Sequence, residues 1–163
     1  MDLKHQLETP LKRLRLSGIL ESLDLRTRQA IDGQWSYVDF LSRLLEDEVA
    51  RREHKQLTLR VRRAALNSAK TLEAFDFTFI NRQRILDLAT GDYIRTQRNV
   101  LLCGPTGVGK SHLAQALAHE ACVQGLNVLF VQTHKMLQHI HGGRADDTRD
   151  RRLQTYLRPD LLV

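Results

Sequence analysis

The sequence predicts an α/β protein: an all-helical N-terminal module over residues 1–75, then the first part of a parallel sheet with flanking helices over residues 76–163. Three observations carry this. Apolar residues in the first module recur at helical spacing and not in strand alternation. Past position 99, two short and wholly apolar runs, Val100-Leu101-Leu102-Cys103 and Val128-Leu129-Phe130-Val131, are separated by a helix-length segment, as parallel strands buried on both faces are. A glycine-rich loop, Gly104-Pro105-Thr106-Gly107-Val108-Gly109-Lys110-Ser111, joins the first run to that segment.

The elements follow in order. Leu3, Leu7, Leu11 and Leu14 share a helical face, and Thr9-Pro10 offers a start with Thr9 as cap and Pro10 in the first turn. Ser17-Gly18 breaks the pattern, Ile19, Leu20 and Leu23 resume it, and Asp32-Gly33 ends the second helix. Ser36 and Asp39 form a box-like start for a third helix through Phe40, Leu41, Leu44, Leu45 and Val49. Leu57, Val61 and Ala64 lie on another side of that helix, which predicts a bend or a change of packing partner near His54. After a connector with Phe75-Asp76-Phe77, Asn81 caps a helix that Gly91 stops. A helix over about 110–123 closes at Gly125, Thr133 caps another reaching His141, and Leu153 and Leu157 lie on a last one before Leu161-Leu162-Val163.

The chain has 163 residues, 42% hydrophobic and 27% charged, the balance of a globular protein. No apolar run reaches the roughly 20 residues a membrane span needs. Met1 to Gln6 lack the apolar stretch of a secretory leader, and Cys103 and Cys122 read as buried free thiols of a reducing cytoplasm. The net charge of +6 favours a polyanionic partner. Most of the excess is local: within residues 51–63, Arg51, Arg52, Lys55, Arg60, Arg62 and Arg63 stand against Glu53 alone. On a helix, Arg51, Arg52, Lys55, Arg62 and Arg63 fall within about a third of the circumference, a footprint for the phosphates of duplex DNA. No aromatic residue interleaves them, so stacking on single-stranded bases is not indicated. A merely solvated helix face is the plain alternative.

The glycine-rich loop has the spacing of a triphosphate cradle. Its glycines let consecutive backbone N–H groups converge on phosphate oxygens, and the helix that follows turns its positive end to the same point. Gly104, Pro105, Thr106, Gly107, Val108, Gly109, Lys110, Ser111 and His112 are the candidate ATP contacts. Lys110, the candidate catalytic cation, brings an ammonium to the β- and γ-phosphates, and the Ser111 hydroxyl is the candidate Mg²⁺ ligand. Hydrolysis needs, in addition, a carboxylate at the end of a neighbouring strand. Leu161-Leu162-Val163 has the composition of that strand's beginning; Asp160 stands at its wrong end.

Together with Leu14-Arg15-Leu16-Ser17-Gly18-Ile19, Arg51-Arg52-Glu53-His54-Lys55, Phe75-Asp76-Phe77 and Leu88-Ala89-Thr90-Gly91-Asp92-Tyr93-Ile94, this loop resembles the IstB-type transposition-helper ATPases. These are relatives of the DnaC-type helicase loaders within the AAA+ class of P-loop NTPases. The resemblance covers essentially the whole chain. It implies helices that contact DNA and neighbouring subunits, an ATPase domain that assembles as a homo-oligomer on duplex DNA, and a transposase as partner. It also implies that the regions of Phe77 and of residues 91–94 flank the adenine. In the family the third strand runs on into paired carboxylates, with sensors, an arginine finger and a lid beyond, and a fourth strand lies between the first and third. Their absence here makes a truncated gene product without hydrolysis the expectation, with Val100-Leu101-Leu102-Cys103 short of neighbours. A helicase-loader adaptor and a small nucleotide kinase are the alternatives; the basic stripe argues against the first and the long helical prefix against the second.

Other candidates are weaker. His134, His139 and His141 lack a Cys or well-spaced carboxylate for zinc and read as surface residues. Trp35 and Tyr37 read as packing at a helix junction. Asp146, Asp147, Arg149, Asp150, Arg151 and Arg152 read as a solvated mixed-charge helix.

Overall fold

The computed structural model describes residues 3–78, 80–143 and 147–163, with side chains from residue 6 onward. Met1, Asp2, the Leu3 side chain and Asp146 of the expectations above lie outside the described residues. The chain divides into two compact units, Met1–Gln56 and Leu57–Val163.

Unit 1 holds α1 (Leu3–Arg13), α2 (Ser17–Asp32) and most of α3 (Tyr37–Arg63). α1 runs through Pro10 instead of starting there. Pro10 has no N–H to bond the carbonyl four residues back, a cost the helix bears, and the continued turn brings Leu11 to the small core of Ile19, Leu23 and Leu44. The break in the helical pattern is at residues 14–16, one turn earlier than Ser17-Gly18 predicts. Gly18 sits in the first turn of α2 because α3 passes too close for a side chain: a Cβ there would lie 2.8 Å from Glu48 Cα. Ser36 starts α3 as its spacing predicts, accepting the Asp39 amide at 3.1 Å and donating its hydroxyl to the Asp39 carboxylate at 2.6 Å. Trp35 lies 4.3 Å under the Arg43 guanidinium, whereas Tyr37 is exposed and packs nothing.

α3 changes packing partner along its length. Phe40 and Leu44 serve the core of unit 1, while Leu57, Val61 and the following Ala64 belong to a core of unit 2 with Ala118, Ala121, Cys122 and Val128. The apolar stripe moved out of phase near His54 for this reason.

Unit 2 continues through α4 (Arg82–Ala89), α5 (Asp92–Arg95), α6 (Lys110–Val123), β1 (Val128–Leu129), α7 (Thr133–Gly142), α8 (Arg149–Leu157) and β2 (Leu161–Leu162). The Asn81 side chain caps α4 by accepting the Arg84 amide at 3.2 Å. α6 is the central element. It buries Leu113 and Leu117 together with Ala116, Ala118, Ala121 and Cys122, small residues that let neighbours come close. Among the described residues the sheet is one parallel pair, Val128 against Leu161 and Leu129 against Leu162, extended by Val131 N–H to Val163 O at 2.8 Å. This mixed, helix-dominated fold with a small parallel sheet matches the α/β class at that level.

Residues 100–103 depart from expectation. They form no strand among the described residues, and Leu101 is 87% exposed. A cavity of 460 Å³ with Tyr93, Ala114 and Leu117 on its walls separates them from residues 161–163, so their backbone groups have no ladder partner within reach. For the same reason Cys103 is exposed while Cys122 is buried. Burial raises the Cys122 thiol above its ordinary pKa, with the Arg60 charge acting weakly against it.

Candidate functional site

The glycine-rich loop leads directly into α6. Gly107 and Gly109 have φ of 87° and 83°, left-handed conformations that glycine adopts without a Cβ penalty. They differ in surroundings: a Cβ on Gly107 would meet nothing, whereas one on Gly109 would lie 2.9 Å from the Phe75 ring. Gly109 is the N-cap of α6, and the first helical bond recorded there runs from Leu113 N–H to Gly109 O at 2.9 Å. The amides of Lys110, Ser111 and His112 therefore belong to the first turn, whose N–H groups have no partner within the helix and carry its positive end. Lys110 Nζ donates to the Pro105 carbonyl, so the loop closes on its own cation. Ser111 is exposed at the same turn.

A cavity of 430 Å³ opens on this loop. Cys103, Gly104, Pro105, Val108, Gly109 and Lys110 form one side; Phe75, Asp76 and Ile80 come from the connector before α4. The region around Phe77 reaches this cavity through Phe75, Asp76 and Ile80, whereas residues 91–94 are not among its lining residues. Phe77 itself packs edge-on behind Phe75, ring centroids 5.1 Å apart, and Tyr93 faces the separate 460 Å³ cavity. The His112 ring also meets Phe75 edge-on at 5.3 Å, and its Nε2 lies 3.1 Å from the Thr71 carbonyl. The imidazole ties the connector to α6. Asp76 is the carboxylate on the cavity wall; hydrogen bonds from the Thr78 hydroxyl and amide hold it below its ordinary pKa. Asp160 lies at the far end of the sheet, accepting from the Asn127 amide at 2.8 Å.

These residues fit a triphosphate. The turn offers amides and a lysine, the cavity has room for an extended ligand, and Lys110 has only to leave a carbonyl to meet phosphate oxygen. For Mg²⁺ the protein offers the Ser111 hydroxyl. No group of three or more His, Cys, Asp or Glu able to hold a metal occurs among the described residues. His139 Nδ1 lies 2.8 Å from the Tyr156 hydroxyl.

The six basic residues of 51–63 have different fates. In unit 1, Arg51 is held by Glu21 at 2.8 and 3.0 Å and donates to the Ser17 hydroxyl. Arg52 donates to Glu48 at 2.6 Å and to the Arg15 carbonyl at 3.2 Å, while Lys55 is exposed. In unit 2, Arg60 is half-buried near Gly125, and Arg62 and Arg63 are exposed. Glu48, the acceptor for Arg52, is 5% exposed and also receives the Gly18 amide at 2.6 Å and the Ile19 amide at 3.4 Å. Burial alone would raise its carboxyl; Arg52 and the two amides outweigh that and set it below the ordinary value.

The sequence profile of the IstB-like ATP binding protein family matches residues 9–163. The chain belongs to this family. A Mycobacterium tuberculosis ATP-binding protein in an insertion sequence is 41% identical over 160 residues, which span 96% of this chain and 64% of that protein. The ATP-binding protein of insertion sequence IS1162 of Pseudomonas fluorescens is 35% identical over 94% of this chain and 68% of its own length. That of insertion sequence IS21 of Pseudomonas aeruginosa is 34% identical over 92% of this chain and 58% of its own. The chain thus spans between 58% and 68% of the length of these three relatives. No helix among its described residues is long and apolar enough to cross a membrane.

Proposed function

We propose that this IstB-like chain binds ATP with Mg²⁺ on residues 104–112 and serves as a DNA-associated helper of transposition, with residues 1–75 carrying DNA and assembly contacts and residues 76–163, joined by Phe75, the nucleotide. The observation that supports it most is the pair of left-handed glycines, Gly107 and Gly109, leading into α6, with Gly109 and Lys110 on the wall of one cavity. The amides of residues 107–112 cradle the phosphate chain, Lys110 leaves Pro105 to neutralise it, and Ser111 holds the cation. The metal, when bound, supplies charge neutralisation between phosphate oxygens. Phe75 and Ile80 give the nucleotide an apolar wall beyond the phosphates.

These 163 residues bind without turnover. Among the described residues the carboxylate at the cavity is Asp76; it comes from the connector before α4 and not from the end of a neighbouring strand, where a group that orders the metal's water shell or an attacking water is needed. Duplex DNA and a transposase are the partners, the DNA being met through exposed cations such as Lys55, Arg62 and Arg63. Calorimetric titration with ATP and Mg²⁺, alongside a phosphate-release assay, tests this. Saturable binding is expected, weakened about 100-fold or more in Lys110→Ala because a charge-assisted contact to phosphate is lost. Equal affinity in wild type and Lys110→Ala, or sustained phosphate release, contradicts it.

A further inference from the structure

Unit 1 contains a second cationic feature that the helical stripe of residues 51–63 does not describe. A groove of 580 Å³ lies between the α1–α2 turn and the middle of α3, and around it stand Lys12, Arg15, Arg51, Arg52 and Lys55, with Glu48 at its base. Three separate segments supply these cations: the end of α1, the turn and α3. We propose that this groove is a binding site for the sugar–phosphate backbone of duplex DNA. The inference rests on the DNA-associated reading above and names where in unit 1 the contact is made.

The charge pattern supports an anion. Glu48 is nearly buried, and both its oxygens are taken, one by Arg52 and the other by the amides of Gly18 and Ile19. It offers little repulsion to a ligand in the groove. Arg51 and Arg52 are fixed by Glu21, Ser17, Glu48 and the Arg15 carbonyl; their charges are balanced by the two carboxylates, and they form a wall of positioned N–H donors, leaving Lys12, Arg15 and Lys55 to supply the attraction. Lys12, Arg15 and Lys55 are exposed above that wall. The pair Lys12–Glu8 is a one-turn surface contact with Lys12 64% exposed, readily exchanged for a phosphate oxygen. Arg15 sits in a turn that α3 itself holds, since Arg52 donates to its carbonyl and its own amide donates to the Lys12 carbonyl at 3.1 Å.

The rest of the lining selects among anions. Leu14 and Ser17 complete it, with no aromatic ring to stack a base and no amide side chain to read a base edge. Flexible, point-charge lysines beside fixed arginines suit the regularly spaced phosphates of a duplex, bound without sequence preference.

Fluorescence anisotropy of a labelled duplex of random sequence, titrated with the full chain over a salt series, tests the groove. In Lys12→Gln/Arg15→Gln/Lys55→Gln, the affinity falls roughly tenfold or more and the slope of log affinity against log salt becomes shallower by about two to three, near 0.9 per lost phosphate contact. The charge-keeping Lys12→Arg/Arg15→Lys/Lys55→Arg variant retains wild-type behaviour, which separates charge from folding. A triple Gln variant that binds as wild type overturns the groove. If Arg62→Gln/Arg63→Gln then weakens binding, the DNA-associated reading survives without it. A wild-type chain with no salt-dependent duplex binding removes both, whereas inorganic phosphate that saturates the groove at micromolar levels, with duplex indifferent, replaces DNA by a small anion.

Discussion

The two units hold themselves together by different means. Among the described residues of unit 1, the buried apolar side chains are Ile19, Leu23 and Leu44, and much of the fixing is electrostatic. Glu48 reaches from α3 to the first amides of α2, and Arg26 grips Asp47 at 2.6 and 2.8 Å. In unit 2, α6 is enclosed on several sides by two apolar clusters, and four of its buried residues are alanines or cysteine at 0–2% exposure. A core of three side chains leaves unit 1 dependent on the ionisation of its carboxylates; close packing around α6 leaves unit 2 dependent on volume. The contrast fits the tasks proposed for them, one meeting a polyanion through charge, the other presenting a loop whose backbone has to be held still.

Mutations separate the two regimes. Leu113→Ala, at a position 2% exposed behind the loop, should cost about 2–5 kcal/mol and destabilise unit 2, as read by urea unfolding with hydrogen exchange to place the loss. Glu48→Ala should cost about 1–3 kcal/mol, since it strands the Gly18 amide and the Arg52 guanidinium, and the exchange rates that rise should be those of α1, α2 and the first half of α3. Equal loosening of both units in either variant would erase the distinction. Acid gives the smallest effect. The Arg26 hydrogen bond, against the opposing effect of burial, lowers the Asp47 pKa from 3.8 to about 2. Because the folded value is the depressed one, this stabilisation is complete above the unfolded pKa and lost as pH falls from about 4 towards 2. Unit 1 should loosen in that window; Asp47→Asn should remove Asp47's share of the dependence, and a variant with the wild-type profile would show that the pair contributes nothing.

What could be read from sequence follows the range of each interaction. The Ser36–Asp39 start, the Asn81 cap and the left-handed glycines are local demands of a few consecutive residues, and the residues that meet them are recognisable in isolation. Ser17-Gly18 was misread as a break because the need for glycine there comes from Glu48, thirty residues away. Val100-Leu101-Leu102-Cys103 and Val128-Leu129-Phe130-Val131 have nearly the same composition, yet one pairs and the other does not, since a strand is defined by its neighbour. Phe75 carried a signal in Phe75-Asp76-Phe77, but which ring faces the loop was set by packing against Gly109 and His112. Lys12 and Arg15 carried none, because the groove they share with Lys55 exists only after α1 and α3 are brought together.

Backbone hydrogen exchange of the chain with and without ATP and Mg²⁺ puts the central claim to the test. The account predicts slowed exchange of the amides of residues 107–112, with the Lys110→Ala variant showing little change under the same conditions. ATP bound with those amides exchanging at their unliganded rates, or protection centred on another segment, would contradict it.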